Sequence, residues 1–352
     1  MKNYIKAVVF ICLLIICLSF VQDKLSYSDE LRTQKIFENF YNLEEDSVDV
    51  ICLGTSAVQR GWLAPIAFRD EGISSYTLAT ASQPFCLTKY LMEEAQKTQK
   101  PKVFVIDIRA AIETPDDLHE GFIRRITDSM KASPLRIRAV RNTLKLAKKG
   151  DNSIDTSDIS YYFRLAKYHE LYDSSKRAVE KDLKYYNGFA YYEGAYYDMK
   201  PQKDVGLVRK NRPLNEYSIK TLNELLDYCD KIEADTVFTI IPFAGSVKEL
   251  RKINTAKSII RKRGYKCINF LDAKHREAIG VDFNTFFYND RHTNYYGSEN
   301  YTKYMCKYLK KNYDIPNRKD DPKCKKLARS SREFIRKTKA KKEEMYNKIN
   351  HK

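Results

Sequence analysis

The chain has 352 residues and carries 63 Lys and Arg against 46 Asp and Glu, a formal net charge of +17. That length suits one sizeable α/β domain with insertions or two domains sharing an interface, and the charge points to an anionic membrane surface, an acidic polymer or nucleic acid as neighbour. Nucleic acid is disfavoured by the lack of any Walker, helix-turn-helix or RNA-binding block, and the eight cysteines form no C-x-x-C pair, which excludes the usual zinc and redox motifs.

Lys2 and Lys6 precede an apolar run from Ala7 to Val21, the layout of a signal peptide or signal anchor. The following "LSFVQ" is bulky where a cleavage site needs small residues, so residues 1–24 are expected to be an uncleaved transmembrane anchor with the remaining chain on the extracytoplasmic side of the cell membrane. Five short apolar runs follow, "VDVICL" (48–53), "ISSYTL" (73–78), "KVFVIDI" (102–108), "DTVFTII" (235–241) and "KCINF" (266–270), each with the look of a strand buried on both faces. Amphipathic helical patterns over 84–98, 215–234, 246–264 and 297–312 alternate with them, which predicts a parallel, doubly wound sheet. Cys52 and Cys267 fall in these strands and are expected to be small buried hydrophobes.

The interval between the third and fourth runs is too long for one crossover, so residues 113–213 are expected to be an insertion within a domain spanning 25–316. It contains basic helical sequence and a tyrosine cluster, Tyr185, Tyr186, Tyr191, Tyr192, Tyr196 and Tyr197, suited either to stacking on sugar rings or to packing the insertion on the sheet. His169-Glu170 lacks the second histidine of a zinc motif. From 317 to 352 the chain holds 14 Lys or Arg and 5 Asp or Glu, nine of the seventeen net charges. This basic tail is expected to be disordered or helical, and able to attract anionic lipid or polymer.

In an open parallel sheet ligands bind beyond the carboxyl ends of the strands, beside strand one, where the strand order reverses. Gly54-Thr55-Ser56 stands there: a glycine for a tight turn, then hydroxyls at a helix start, where one of them can cap the helix or act as a nucleophile near backbone N–H groups. A nucleophilic serine needs a base, and the base needs a group to orient it. Among the five histidines, His119, His275 and His351 sit in charged or surface sequence, whereas His292 follows an aromatic run as Asp290-Arg291-His292 and precedes the last helix.

Gly54-Thr55-Ser56 after the first strand, together with Asp290-x-His292 before the final helix, resembles the first and last blocks of the SGNH (GDSL-type) hydrolase superfamily. The resemblance implies a flavodoxin-like three-layer α/β/α fold and a triad of Ser56, His292 and Asp290, with no metal or cofactor. Here Gly-Asp-Ser-Leu is Gly-Thr-Ser-Ala, one residue separates Asp from His instead of two, and no Gly-x-Asn-Asp block follows strand three. Candidates for the oxyanion hole or substrate binding are therefore Gly54, Ala81, Ser82, Gln83, Asp107 and Arg109. With the anchor, these departures look more like the membrane-anchored branch similar to DltD and alginate O-acetylation proteins. The branch implies acyl transfer onto an envelope polysaccharide or teichoic-acid-like polymer, beside a multi-pass membrane O-acyltransferase. A surface carbohydrate esterase or deacetylase of the same fold, and a non-catalytic anchored binding or assembly module, are the alternatives.

Overall fold

The computed structural model describes residues 2–25, 31–150, 154, 159–168, 188, 208–282 and 284–350. The six clustered tyrosines and His169-Glu170 lie outside the described residues. Five parallel strands, β1 (Val50–Gly54), β2 (Ser75–Ala79), β3 (Val103–Asp107), β4 (Asp235–Ile240) and β5 (Lys266–Asn269), form one sheet in the order β2-β1-β3-β4-β5. This is the flavodoxin-like order, and it reverses at β1, so the end of β1 is a switch point. A separate antiparallel hairpin joins β6 (Phe287–Asn289) to β7 (His292–Thr293).

The strands are buried on both faces, and alternate residues feed two cores as the period of two requires. Ile51, Leu53, Phe104 and Ile106 join one cluster, while Val50, Cys52, Val103 and Val105 join the other. The first is covered by α2 (Leu31–Tyr41), α5 (Thr88–Ala95), α7 (Pro134–Ala147), α10 (Glu216–Cys229) and α11 (Val247–Lys262). The second is covered by α3 (Ser56–Gly61), α4 (Ala64–Glu71), α13 (Tyr295–Asn312) and α14 (Lys325–Asn350). The short helices α6 (Glu120–Thr127), α8 (Ile159–Tyr162) and α9 (Leu165–Tyr168) belong to the expected insertion, and α12 (Ala273–Ala278) follows β5.

Local chemistry sets the helix starts around the sheet. Ser246 and Glu249 form a reciprocal capping box at α11, and the Asn294 side chain accepts from Gly297 N at α13. Cys52 and Cys267 are both buried.

The basic tail is a helix docked on the body. Arg318 donates to both oxygens of buried Asp49, at 2.9 and 2.8 Å, which fastens the tail beside the start of β1. Further along, Ser331 Oγ donates to Pro65 O, Phe334 is fully buried against Tyr295, and Lys342 and Tyr346 reach the buried Glu299 carboxylate. The helix presents one apolar side to α4 and α13 and leaves Lys325, Lys326, Lys337 and Lys339 exposed, the arrangement of an amphipathic surface helix.

The N-terminal expectation is met only in its coarser part, a helix. Residues Lys2–Leu25 do form one helix, α1, but among the described residues no helix is long and apolar enough to cross a membrane. The uncharged stretch from Ala7 to Gln22 rises about 24 Å, against a hydrocarbon core of roughly 30 Å. Its apolar side chains are nonetheless open to solvent on every side, Phe10 at 66% and Ile16 at 63% among them.

Because Phe334 anchors α14 to the second core, Phe334→Ala should cost about 3–5 kcal/mol and lower the midpoint of chemical unfolding. A tail that merely trailed from the domain would leave that midpoint unchanged.

Candidate active site

The site assembles at the carboxyl ends of β1, β3 and β4. β1 ends at Gly54, whose φ of +149° suits glycine, and a Cβ there would meet Val58 Cγ2 at 2.6 Å. The chain can therefore turn tightly into α3, with Thr55 as its N-cap and Ser56 as its first residue. Thr55 accepts weakly from Ala57 N at 3.5 Å, so the cap is the threonine and the Ser56 hydroxyl is left for other partners.

That partner is His292, whose Nε2 lies 2.8 Å from Ser56 Oγ across a separation of 236 residues. His292 Nδ1 lies 2.8 Å from Asn289 Oδ1. The same oxygen accepts from Arg291 N and His292 N, both at 3.0 Å. An amide turned the other way would set its NH2 against two N–H donors, so the oxygen must face them. Nδ1 must then be the donor, which leaves Nε2 with a lone pair aimed at the Ser56 hydroxyl.

The expected third member is thus replaced. Asp290 occupies the two-residue turn between β6 and β7, where its side chain is 65% exposed and 3.9 Å from Arg291 Nε. Asn289 and His292 flank that turn as a cross-strand pair, which brings their side chains together and sends Asp290 outward. The resembling family's spacing of two intervening residues falls on Asn289, and that signal was available in the sequence. An amide in this role also occurs in the Cys-His-Asn arrangement of papain-like proteases.

Two loops hold the hairpin in place. Arg109 Nη1 donates to Arg291 O at 3.0 Å, and Ala244 N donates to Asp290 O at 2.8 Å. Arg109 is in turn held by Asp107 Oδ1, through its backbone N–H at 3.0 Å and its Nε at 3.2 Å, and packs over the Phe243 ring. Asp107 is buried and gives its other oxygen to Ile241 N at 2.8 Å. Expected to face substrate, Asp107 instead spends its carboxylate on the ends of two strands.

A cavity of about 560 Å³ opens over Ser56 and His292, bordered by Thr55, Ser82, Arg109, Glu113, His119, Phe122, Phe243, Lys252 and Arg291 among others. Ser82 lines it with a left-handed backbone at φ +50°, a conformation uncommon for a non-glycine residue. Gly54, Ala81 and Gln83 are not among its lining residues. Gly54 serves the turn, the Ala81 carbonyl accepts from Arg125, and Gln83 is buried with neither amide atom hydrogen-bonded. His119, read from sequence as a surface residue, is exposed but borders the cavity.

Burial, and after it the positive charges of Arg109, Arg60 and Arg291, push the His292 imidazole down to about 4. It is therefore neutral through the physiological range. On the same cavity wall burial pushes Glu113 up to about 8, against an opposing hydrogen bond from Phe85 N, so its carboxyl keeps its proton at neutral pH. Among the described residues no group of His, Cys, Asp and Glu could hold a metal ion. No protein-family model matches the chain, and no curated protein matches it.

A neutral imidazole bonded to a serine hydroxyl can take its proton as carbon or phosphorus is attacked. Labelling of Ser56 by a fluorophosphonate should thus persist on acidification and fall only as pH drops through about 4. Asn289→Ala should slow it about 10-fold or more by freeing the imidazole, whereas Asp290→Ala should change it less than about 3-fold. Asn289→Asp adds a negative charge beside the ring and should move the acid limb upward by about one unit or more.

Proposed function

We propose that this protein is an extracytoplasmic, serine-dependent acyltransferase of SGNH type that moves an acyl group, an O-acetyl group in the simplest case, onto a cell-envelope polysaccharide or teichoic-acid-like polymer. The observation that carries the proposal is the 2.8 Å contact between His292 Nε2 and Ser56 Oγ, with the other ring nitrogen engaged by Asn289. In the first half-reaction Ser56 Oγ attacks the donor's acyl carbon while His292 takes the hydroxyl proton. The leaving group then departs with that proton, and an acyl-Ser56 ester remains. In the second, His292 removes a proton from a sugar hydroxyl, whose oxygen attacks the acyl carbon and takes the acyl group, while Ser56 Oγ leaves and recovers its proton from His292. The N–H of a first helical residue has no intrahelical acceptor, so the start of α3 is the natural source of an oxyanion donor.

Two features support an envelope address. α1 is apolar on every face and starts with basic sequence, which suits insertion of this end into a membrane. Its uncharged stretch falls short of a full hydrocarbon core, a mismatch that local bilayer thinning accommodates, and the domain would then lie outside. Membrane attachment would also bring the site beside a multi-pass O-acyltransferase able to supply the acyl group. Phe122, half-buried in the cavity wall, suits the apolar face of a sugar ring.

Loss of the gene should lower the acyl ester content of the envelope polymer, and a Ser56→Ala copy should fail to restore it. A rise in ester content on loss would assign the same residues to a surface esterase, and full restoration by Ser56→Ala would leave a non-catalytic module.

A further inference from the structure

The cavity lining carries a charge that the contacts of Ser56 and His292 do not use. Lys252, on α11, borders the cavity, and among the described residues no carboxylate pairs with its ammonium. Arg109 and Arg291 border the same cavity, both over the Phe243 ring at 4.9 and 5.7 Å, and each already has a carboxylate partner, Asp107 at 3.2 Å and Glu249 at 2.8 Å. The acidic groups of this wall are already committed. Glu249 takes Arg291 Nη1 at 2.8 Å and caps α11 through Ser246 N, and Asp117 is exposed and accepts from Thr114 N and Oγ1. Glu113 adds no charge while protonated. Lys252 is thus the one cation of this lining with no carboxylate partner among the described residues, and an unpaired ammonium in a concave site is a place for an anion.

We propose that Lys252, with Arg109 and Arg291, binds a carboxylate or phosphate group of the substrate, and that this anion switches on His292 as a base. The second half rests on the acyl-transfer reading of Ser56 and His292. The groups facing the imidazole are Arg60 from α3, Arg109 from the loop after β3 and Arg291 from its own hairpin, with neutral Asn289 and Ser56 as its hydrogen-bond partners. Glu249 approaches only through Arg291, and Asp290 points to solvent. Burial first, and after it the three arginines, make a protonated ring costly. An anion seated among the cations offsets their field, so the imidazolium that forms during proton transfer becomes easier to make and the lone pair becomes more basic. A neutral ester would lack this effect, which makes the anionic group a determinant of rate as well as of binding.

The test follows the five histidines by NMR in the full chain labelled at histidine Cε1, held in a non-ionic detergent at constant ionic strength, with His292→Ala to assign the resonance. Titrations are run without added anion, with acetate and with methyl phosphate. The His292 midpoint should rise by about one unit with at least one of the two, and the anion that moves it further names the carboxylate or the phosphate as the preferred group. Lys252→Arg should keep the rise and Lys252→Gln should lose it. A midpoint that neither anion moves, or that moves equally in Lys252→Gln, overturns the proposal. Fluorophosphonate labelling of Ser56 in the same samples separates the two levels. Labelling without an anion response removes this inference alone, whereas an anion response without labelling keeps the site and removes its coupling to catalysis.

Discussion

The buried carboxylate of Asp107 accepts from three donors on two loops, and the position of His292 follows from them. One oxygen receives Ile241 N at the end of β4, and the other receives Arg109 through both backbone and side chain. Arg109 passes the constraint on by donating to Arg291 O, in the turn that separates Asn289 from His292. A carboxylate removed from water must be fully hydrogen-bonded to be tolerated, and here the same bonds that satisfy it set the distance between two loops. Ser56 is placed by different means: the Gly54 turn and the Thr55 cap. Two independent supports, one from each side of the switch point, meet in a single hydrogen bond of 2.8 Å.

The choice of asparagine beside the histidine has chemical consequences. An amide oxygen fixes the tautomer as a carboxylate would, yet it brings no negative charge to stabilise the imidazolium. Burial, and after it three arginines, act on the ring in the opposite sense. On the proposed acyl-transfer reading, an imidazole neutral over a wide pH range is an available but weak base, and such a site gains from charge brought in by its substrate. Glu113, neutral for reasons of burial, avoids cancelling the cations that border the same cavity.

The sheet was legible because strands buried on both faces read as unbroken apolar runs, and each observed strand lies within two residues of its run at either end. Ser56 and His292 were legible because the fold makes the end of β1 a switch point and because few histidines compete for the role. Asn289 was missed because acidity was taken as the mark of the third member, whereas pairing across a two-residue turn depends on position and not on charge. Asp107 looked like a site residue because it ends a central strand. Whether such a carboxylate faces substrate or ties strands together depends on which N–H groups lie within reach, and no linear pattern encodes that. The tail's charge suggested solvation, but Phe334 and Tyr346 at helical spacing from other apolar residues give it a face to bury.

Capture of the covalent intermediate tests the central claim most directly. The full chain is mixed with p-nitrophenyl acetate, quenched in acid within the first turnover, digested and sequenced by mass spectrometry. The account predicts one acetyl group on Ser56 in the wild-type chain, much less in Asn289→Ala and none in His292→Ala. Ester hydrolysis with no acetyl on Ser56, or an equal yield of acetyl-Ser56 in the His292→Ala chain, would contradict it.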